Sequence, residues 1–266
     1  CRFLRARRFD VGKSITLFEE CVQKREETRP LELIEQGEEV VTGCDPTLIK
    51  VFYPHTHFGF DKHNRPVFYE RTGIVNSYAI TTMTTIEGMI RYHWINMAHH
   101  INDIFDQAAQ RGPVNISVVS VLDLAGMSTR TMTAQATELL KAIAAIDNMC
   151  YPEMLGKMFI INAPRIFVGV WSLVKRLIDQ RTQSKIEIIS QRDFALRRLA
   201  EFIDADQLPA VSPHRLFVVL CVFKKLICVY MFNRNMAEQG NPSSSRLTIS
   251  TTRTCLAWAS YRSRLS

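Results

Sequence analysis

The chain is predicted to fold as an α/β protein around a mainly parallel sheet, and three observations carry that prediction. Short β-branched runs alternate with helix-like segments from Arg65 to Ile203, the pattern of strands joined by right-handed crossover helices. Val114–Leu124 (VNISVVSVLDL) is β-branched on both faces, as a central strand covered on both sides reads. At 266 residues and 47% hydrophobic content, the chain can bury one sizeable core with appendages.

The elements follow in order. Cys1 to Gly43 reads as helical: Asp10 is placed to cap a helix with Val11, Ile15, Phe18, Cys21 and Val22 at helical spacing. Gly43 and Asp45-Pro46 punctuate it, with Pro46 suited to the first turn of a short helix. Arg65-Pro66 leads into a strand at Val67-Phe68-Tyr69, where the proline at its start is tolerated. Thr84 and Glu87 form a capping-box pattern opening a long helix to about Gln110, which Gly112-Pro113 ends. After the central strand come a helix from about Thr131 to Met149, a strand at Met158–Asn162 and a helix at Ile166–Ile178. A strand at Lys185–Ile189 and a helix at Arg192–Ile203 complete the series.

The helix at Ile166–Ile178 is almost wholly apolar, which fits a helix that meets something oily on more than one face. Opposite charges, Glu153 and Lys185, close the two ends of the segment containing it.

Charge excludes one class of function. The net charge is +7, yet from Ala210 onward there are 8 basic residues and 1 acid, so residues 1–209 carry 25 of each sign. The basic balance belongs to the tail, and nucleic-acid binding loses its main compositional support. The 7 cysteines are odd in number and widely spaced, which fits reduced thiols in a cytoplasmic protein better than a disulfide framework. No stretch reads as a signal peptide, and Cys1 in place of Met leads us to expect a chain that begins partway into a longer protein. Leu216–Phe232 is 17 residues long with Lys224-Lys225 at its centre, a poor transmembrane span. Asn241–Ser266, rich in Ser, Thr and Arg, reads as disordered.

Enzyme motifs are missing. The chain has no GxGxxG or GxxxxGK[ST] phosphate loop and no GxSxG elbow. His55 and His57 share a strand face but lack further ligands for a metal, and His63 sits beyond a turn. His99-His100 are adjacent on a helix and so point apart. Asp123, at the carboxyl end of the central strand, sits where α/β enzymes place catalytic groups, but beside LAGMS it reads as a turn-stabilising acid.

RFLRARRFDV, NRPVFYERTGIVN, VLDLAGMS, YPEMLGKMFIINAP and SKIEII, in that order, resemble the CRAL-TRIO lipid-binding family in its Sec-fourteen-like phosphatidylinositol-transfer branch. The resemblance covers roughly Arg2 to Pro209 and implies a mixed sheet flooring a hydrophobic lipid cavity, with a mobile gate helix at its mouth. It divides the chain into an N-terminal helical segment (1–45), the lipid-binding domain (46–209, its last strand in doubt) and a divergent tail (210–266), either disordered or a gene-model artefact.

Under that resemblance, Ile166, Phe167, Val170, Trp171, Val174 and Leu177 belong to the gate. Arg8 matches a basic residue near the inositol-lipid phosphate, Glu153 and Lys185 an acid and base meeting across the headgroup, and Thr182 a hydroxyl donor to the phosphate. At the positions matching the family's choline site stand His57, Phe68, Val118 and Ser120, where other members have two tyrosines and two hydroxyl residues. The expected ligand is therefore phosphatidylinositol, with phosphatidylcholine secondary. The resemblance further implies a monomer without cofactor, metal or catalysis, cytoplasmic and touching membranes transiently. The alternative on the same fold is a membrane-recruited adaptor, or a carrier of a sterol, tocopherol or retinoid.

Overall fold

A computed structural model describes residues 1–208 except 114, 129–132 and 177, while the side chains of 99–102 and 173 lie outside it. The tail from Ala210 therefore lies outside the described residues, as do Val114, Thr131 and Leu177 of the predicted elements.

The N-terminal region is helical: α1 (Arg2–Ala6), α2 (Val11–Thr28), α3 (Pro30–Gln36), α4 (Glu38–Thr42) and α5 (Pro46–Phe52). Asp10 caps α2 by accepting from Lys13 N at 3.0 Å, and Pro46 opens α5 behind an Asp45 cap. The buried face of α2 differs from the expected one. Val11, Ile15, Phe18 and Val22 are exposed, while Ser14, Leu17 and Cys21 turn inward. Cys21 joins a core with Trp94, Ile146 and Cys150. Periodicity marks an apolar stripe; the neighbouring helix decides which stripe is covered.

The sheet has five strands in the order β1 (His55–Phe60), β2 (Pro66–Glu70), β3 (Val118–Asp123), β4 (Leu155–Ile161) and β5 (Ile186–Ile189). β1 and β2 are antiparallel and the remaining pairs are parallel. Between them lie α6 (Ser77–Met83), α7 (Ile86–Ile95), α8 (Ile101–Arg111), α9 (Ala134–Cys150), α10 (Phe167–Val174), α11 (Gln180–Ser184) and, after β5, α12 (Arg192–Phe202).

The predicted capping box is shifted by one residue. Thr85, not Thr84, accepts from Gly88 N at 2.9 Å, while Thr84 donates to Thr42 O at 2.5 Å and Glu87 pairs with Arg91. The long helix is also divided, with a π-helical turn at Asn96–His100 separating α7 from α8. The described cysteines, Cys1, Cys21, Cys44 and Cys150, are all free.

The two faces of the sheet meet different environments. Val67, Val119, Val121, Phe159 and Ile189 bury completely against Ala195, Leu199 and Ile203 from α12 and the residue after it. Because side chains alternate along a strand, the intervening residues point the other way. They form one row across the strands, His57–Phe68–Ser120–Met158–Ile186, and a second, Glu70–Leu122–Ile160, with His55 opposite Glu70. Except for Ile160, which packs under α10, these residues keep residual surface, because they floor a cavity and not a solid core.

Candidate functional site: a cavity with a charged end

The cavity has a volume of about 960 Å³, in the upper range for ligand pockets, and its wall is mainly apolar. The second face of the sheet is its floor, while α7 and α9 supply walls through Met89, Leu139 and Ile143. α10 closes one side. It is capable of this because its sequence, FVGVWSLV, is apolar around most of its circumference.

Within α10, Phe167, Val170, Trp171 and Val174 line the cavity, joined by Ile178 beyond the helix. Phe167 and Trp171 pack with ring centroids 6.2 Å apart over Leu124 and Ile160. Ile166 precedes the helix and is exposed away from the cavity, and Val168 is 72% exposed. Leu177 lies outside the described residues. The helix thus has an inner and an outer apolar surface and is shorter than the predicted Ile166–Ile178.

A charged cluster occupies one end. Lys185 Nζ stands 3.3 Å from Glu153 Oε2 and donates to Leu155 O at 2.8 Å. An ammonium has three donors, so among the described residues one remains for a ligand. Arg181 Nη1 reaches Glu153 Oε1 at 3.3 Å and Arg5 O at 3.2 Å, tying α1 to the mouth. Glu153 and Lys185 side chains are 13% and 20% exposed, against 54% for Arg181.

Local structure explains how Glu153 reaches this position. It follows the end of α9 with φ +61, a left-handed conformation that a side chain rarely adopts without cost. There its carboxylate lies between two cations. A bulge between Val118 and Val119 on the facing pair turns Leu155 onto the cavity face. Gly156 permits it, since a Cβ there would sit 2.7 Å from Ser117 Oγ.

Thr182 also lines the cavity, but its hydroxyl donates to Asp179 Oδ2 at 2.5 Å. Asp179 caps α11, accepting from Arg181 N and Thr182 N as well. Burial raises this carboxyl's pKa, but the side-chain and backbone donations from Thr182 and Arg181 outweigh it and hold the group below its ordinary value. Arg8 lines the same mouth, exposed and with φ +53, in the turn between α1 and α2. Arg8, Glu153, Thr182 and Lys185 are therefore gathered at one end. Arg181 was missed by the sequence reading; its place one residue before Thr182 on a short helix opening toward Glu153 was the available signal.

At the positions matched to the choline site, His57, Phe68 and Ser120 fall in a single cross-strand row, with Val118 at the start of β3. All four line the cavity. The His57 and Phe68 rings lie 5.0 Å apart. Asp123 closes a turn, accepting from Ala125 N at 2.9 Å and Asn162 Nδ2 at 2.8 Å. Among the described residues no group of three His, Cys, Asp or Glu side chains is arranged to hold a metal, and no helix is long and apolar enough to cross a membrane.

Comparison with known proteins gives concordant findings. The family described as "CRAL/TRIO domain" matches residues 53–211. The chain is 35% identical over 211 residues to the phosphatidylinositol/phosphatidylcholine transfer protein SFH4 of Arabidopsis thaliana, covering 78% of this chain and 33% of the relative. It is 31% identical over 209 residues to the SEC14 cytosolic factor of Eremothecium gossypii, covering 78% and 66%. The chain thus spans about a third of the length of SFH4 and of the relatives SFH9 and SFH12 from the same plant. Among solved structures, that of Sfh5 is similar in fold, with a TM-score of 0.54 at 18% identity over 71% of this chain and 62% of that one.

Proposed function

Because the chain belongs to the CRAL/TRIO domain family, we propose that it takes up one phospholipid, phosphatidylinositol, and exchanges or presents it at membranes. One observation carries this reading: an apolar cavity of about 960 Å³ ends in a Lys185–Glu153–Arg181 cluster. Chains go to the cavity and the headgroup to the cluster.

The roles follow from chemistry. Lys185, Arg181 and Arg8 supply positive charge to a phosphodiester, and the third Lys185 donor is available for one of its oxygens. Glu153 would repel a phosphate on its own; paired with two cations, it orients them and accepts hydrogen bonds from inositol hydroxyls. Thr182 reaches the ligand by turning its hydroxyl away from Asp179. No bond is made or broken, and the protein acts as a carrier.

Burial energetics require a gate. Two acyl chains expose on the order of 30 methylenes at about 0.8 kcal/mol each, so a lipid does not cross water unaided at a useful rate. α10, apolar on both its inner and outer surfaces, covers the chains when closed and meets the bilayer when open. Residues 46–209 form the lipid-binding unit, and 1–45 a helical extension that brings Arg5 and Arg8 to its mouth. The relatives' names, as phosphatidylinositol/phosphatidylcholine transfer proteins, support a phospholipid cargo.

The test is to incubate the purified protein with mixed-lipid vesicles, separate it, extract it and identify what it carries. Phosphatidylinositol is expected. Recovery of a sterol, a tocopherol or a retinoid in its place would overturn the reading.

A further inference from the structure

The turn between α1 and α2 is strained, and the carrier reading leaves its Phe9 and Arg7 without a role. Phe9 N donates to Leu4 O at 2.7 Å and Arg8 N to Arg5 O at 3.2 Å. That pair of bonds is the Schellman pattern that ends a helix, and its left-handed position is ordinarily glycine. Here Arg8 holds that position with φ +53, and Phe9 follows with φ +64. Two consecutive side chains, one of them bulky, stand in a conformation that is strained for anything but glycine. A residue in the place of Phe9 commonly packs back onto the helix it follows. Phe9 is instead 70% exposed. The strain recovers no burial within the chain, so its benefit is to be sought outside.

The surroundings of Phe9 are apolar and positively charged. Val11, at the start of α2, is 61% exposed, and Arg5, Arg7 and Arg8 are exposed as well. Asp10 is already paired with Lys13 at 2.9 Å. The next acids on α2, Glu19 and Glu20, begin nine residues further on, about 14 Å of helix. That exceeds the reach of a charge in physiological salt, about 8 Å. Arg181 joins the turn to the cavity through its contact with Arg5 O. The Lys185–Glu153–Arg181 cluster is one charge positive, and Asp179 offsets it. The excess at this mouth therefore belongs to Arg5, Arg7 and Arg8.

An exposed ring among uncompensated arginines suits an anionic bilayer. The ring enters the boundary between headgroups and chains, and the guanidiniums stay with the phosphates. A nucleic acid would meet the arginines but offers Phe9 and Val11 no apolar layer. The place of the turn favours a membrane over an acidic protein, because Arg7 and Arg8 line the mouth of a cavity that α10 also lines. On α10, Val168 is 72% exposed.

We propose that the α1–α2 turn docks on anionic membranes, with Phe9 and Val11 entering the interfacial layer and Arg7 meeting lipid phosphates. The inference rests on the cavity being a lipid site and gives its mouth a second membrane contact besides α10.

The experiment measures flotation of the full chain with vesicles of phosphatidylcholine, with and without phosphatidylserine. The tail from Ala210, with 8 basic residues and 1 acid, is common to every variant, so each is compared with the unaltered chain. A basic residue near an anionic surface is worth about fivefold in partitioning, so Arg7→Gln should bind phosphatidylserine vesicles about fivefold more weakly. Phe9→Gly loses an interfacial ring and should bind them about tenfold more weakly. The same variant should melt at or above the temperature of the unaltered chain, because glycine relieves the left-handed strain. A ring that served only folding would make Phe9→Gly melt lower, and that result overturns the proposal. Unchanged vesicle binding by either variant overturns it too, as does equal binding of the unaltered chain to the two kinds of vesicle. Retention by an acidic protein without any flotation also overturns it. Both variants should still take up phosphatidylinositol on prolonged incubation, more slowly than the unaltered chain. Flotation of the unaltered chain without any lipid uptake would instead sink the carrier reading and leave the docking turn standing.

Discussion

Lys185 Nζ meets Glu153 Oε2 at 3.3 Å although the two residues are 32 positions apart in the chain. Parallel pairing of β4 with β5 brings the N-terminal ends of both strands to the same edge of the cavity. Removing the lysine does not strand the acid, because Arg181 holds its other oxygen at 3.3 Å. Lys185→Ala is therefore expected to fold normally while phosphatidylinositol uptake falls about tenfold or more, the loss of a charge-assisted contact. Uptake from vesicles, with a melting curve beside it, checks this; normal binding by the variant would show the headgroup site to be elsewhere.

The Thr182 hydroxyl is engaged by Asp179, so its contribution depends on a switch of partner. Thr182→Ala keeps both backbone donations to Asp179 and with them the cap on α11. Its melting temperature should stay close to that of the unaltered chain, with phosphatidylinositol uptake reduced by roughly three- to tenfold, one hydrogen bond. Unchanged uptake would mean that the hydroxyl stays with Asp179 when lipid is bound.

Asp179 predicts a pH dependence of stability. Its folded pKa lies below the ordinary 3.8. The stabilisation is therefore present above the unfolded value and lost as pH falls through the depressed folded one. Asp179→Ala should cost about 1 kcal/mol, a typical N-cap, at neutral pH. The difference between the two proteins should vanish in denaturant titrations repeated at progressively more acid pH.

Glu70 predicts the opposite sign. Burial raises its folded pKa above the ordinary 4.5, so the favourable contribution is present below that value and is lost as pH rises through the folded one. Glu70→Gln should melt higher than the unaltered protein at alkaline pH and no higher below about 4.5, the ordinary carboxylate value. A variant equally stable at every pH would mean that the charged carboxylate is already compensated.

Trp171 offers a test of the proposed gate. Its ring lies against Phe167 on the inner side of α10, and a gate that opens onto a bilayer moves that ring into lipid. In a variant with Trp94 and Trp258 replaced by Phe, emission should move to shorter wavelength when vesicles are added. No change at saturating vesicles would argue that α10 stays closed at the membrane.

Much of the fold was legible in the chain. Alternating β-branched and helical segments placed β2, β3, β4, β5 and α12 in the right order, and Asp10 and Pro46 marked the helix starts they occupy. The misplaced details share one cause. Thr84 and Thr85 are equivalent as local caps, and Thr84 was claimed by Thr42 O, a residue 42 positions earlier. Val11, Ile15, Phe18, Cys21 and Val22 form as good a stripe as any, yet of these only Cys21 is covered, together with Ser14 and Leu17, while the other four stay exposed.

By itself the sequence determined the strand and helix alternation, the apolar character of α10 and the identity of the charges that close its segment, because these depend on residue type and short-range spacing. The tertiary structure decided that one face of β3 packs against α12 while the other floors a void. A β-branched strand reads the same whether a helix or a ligand covers it. It also decided that Arg181 completes the charged cluster and that Glu70, Tyr53 and Thr72 converge within the cavity. Those groupings depend on strand register and on chain crossings over long sequence separations, which local patterns do not encode.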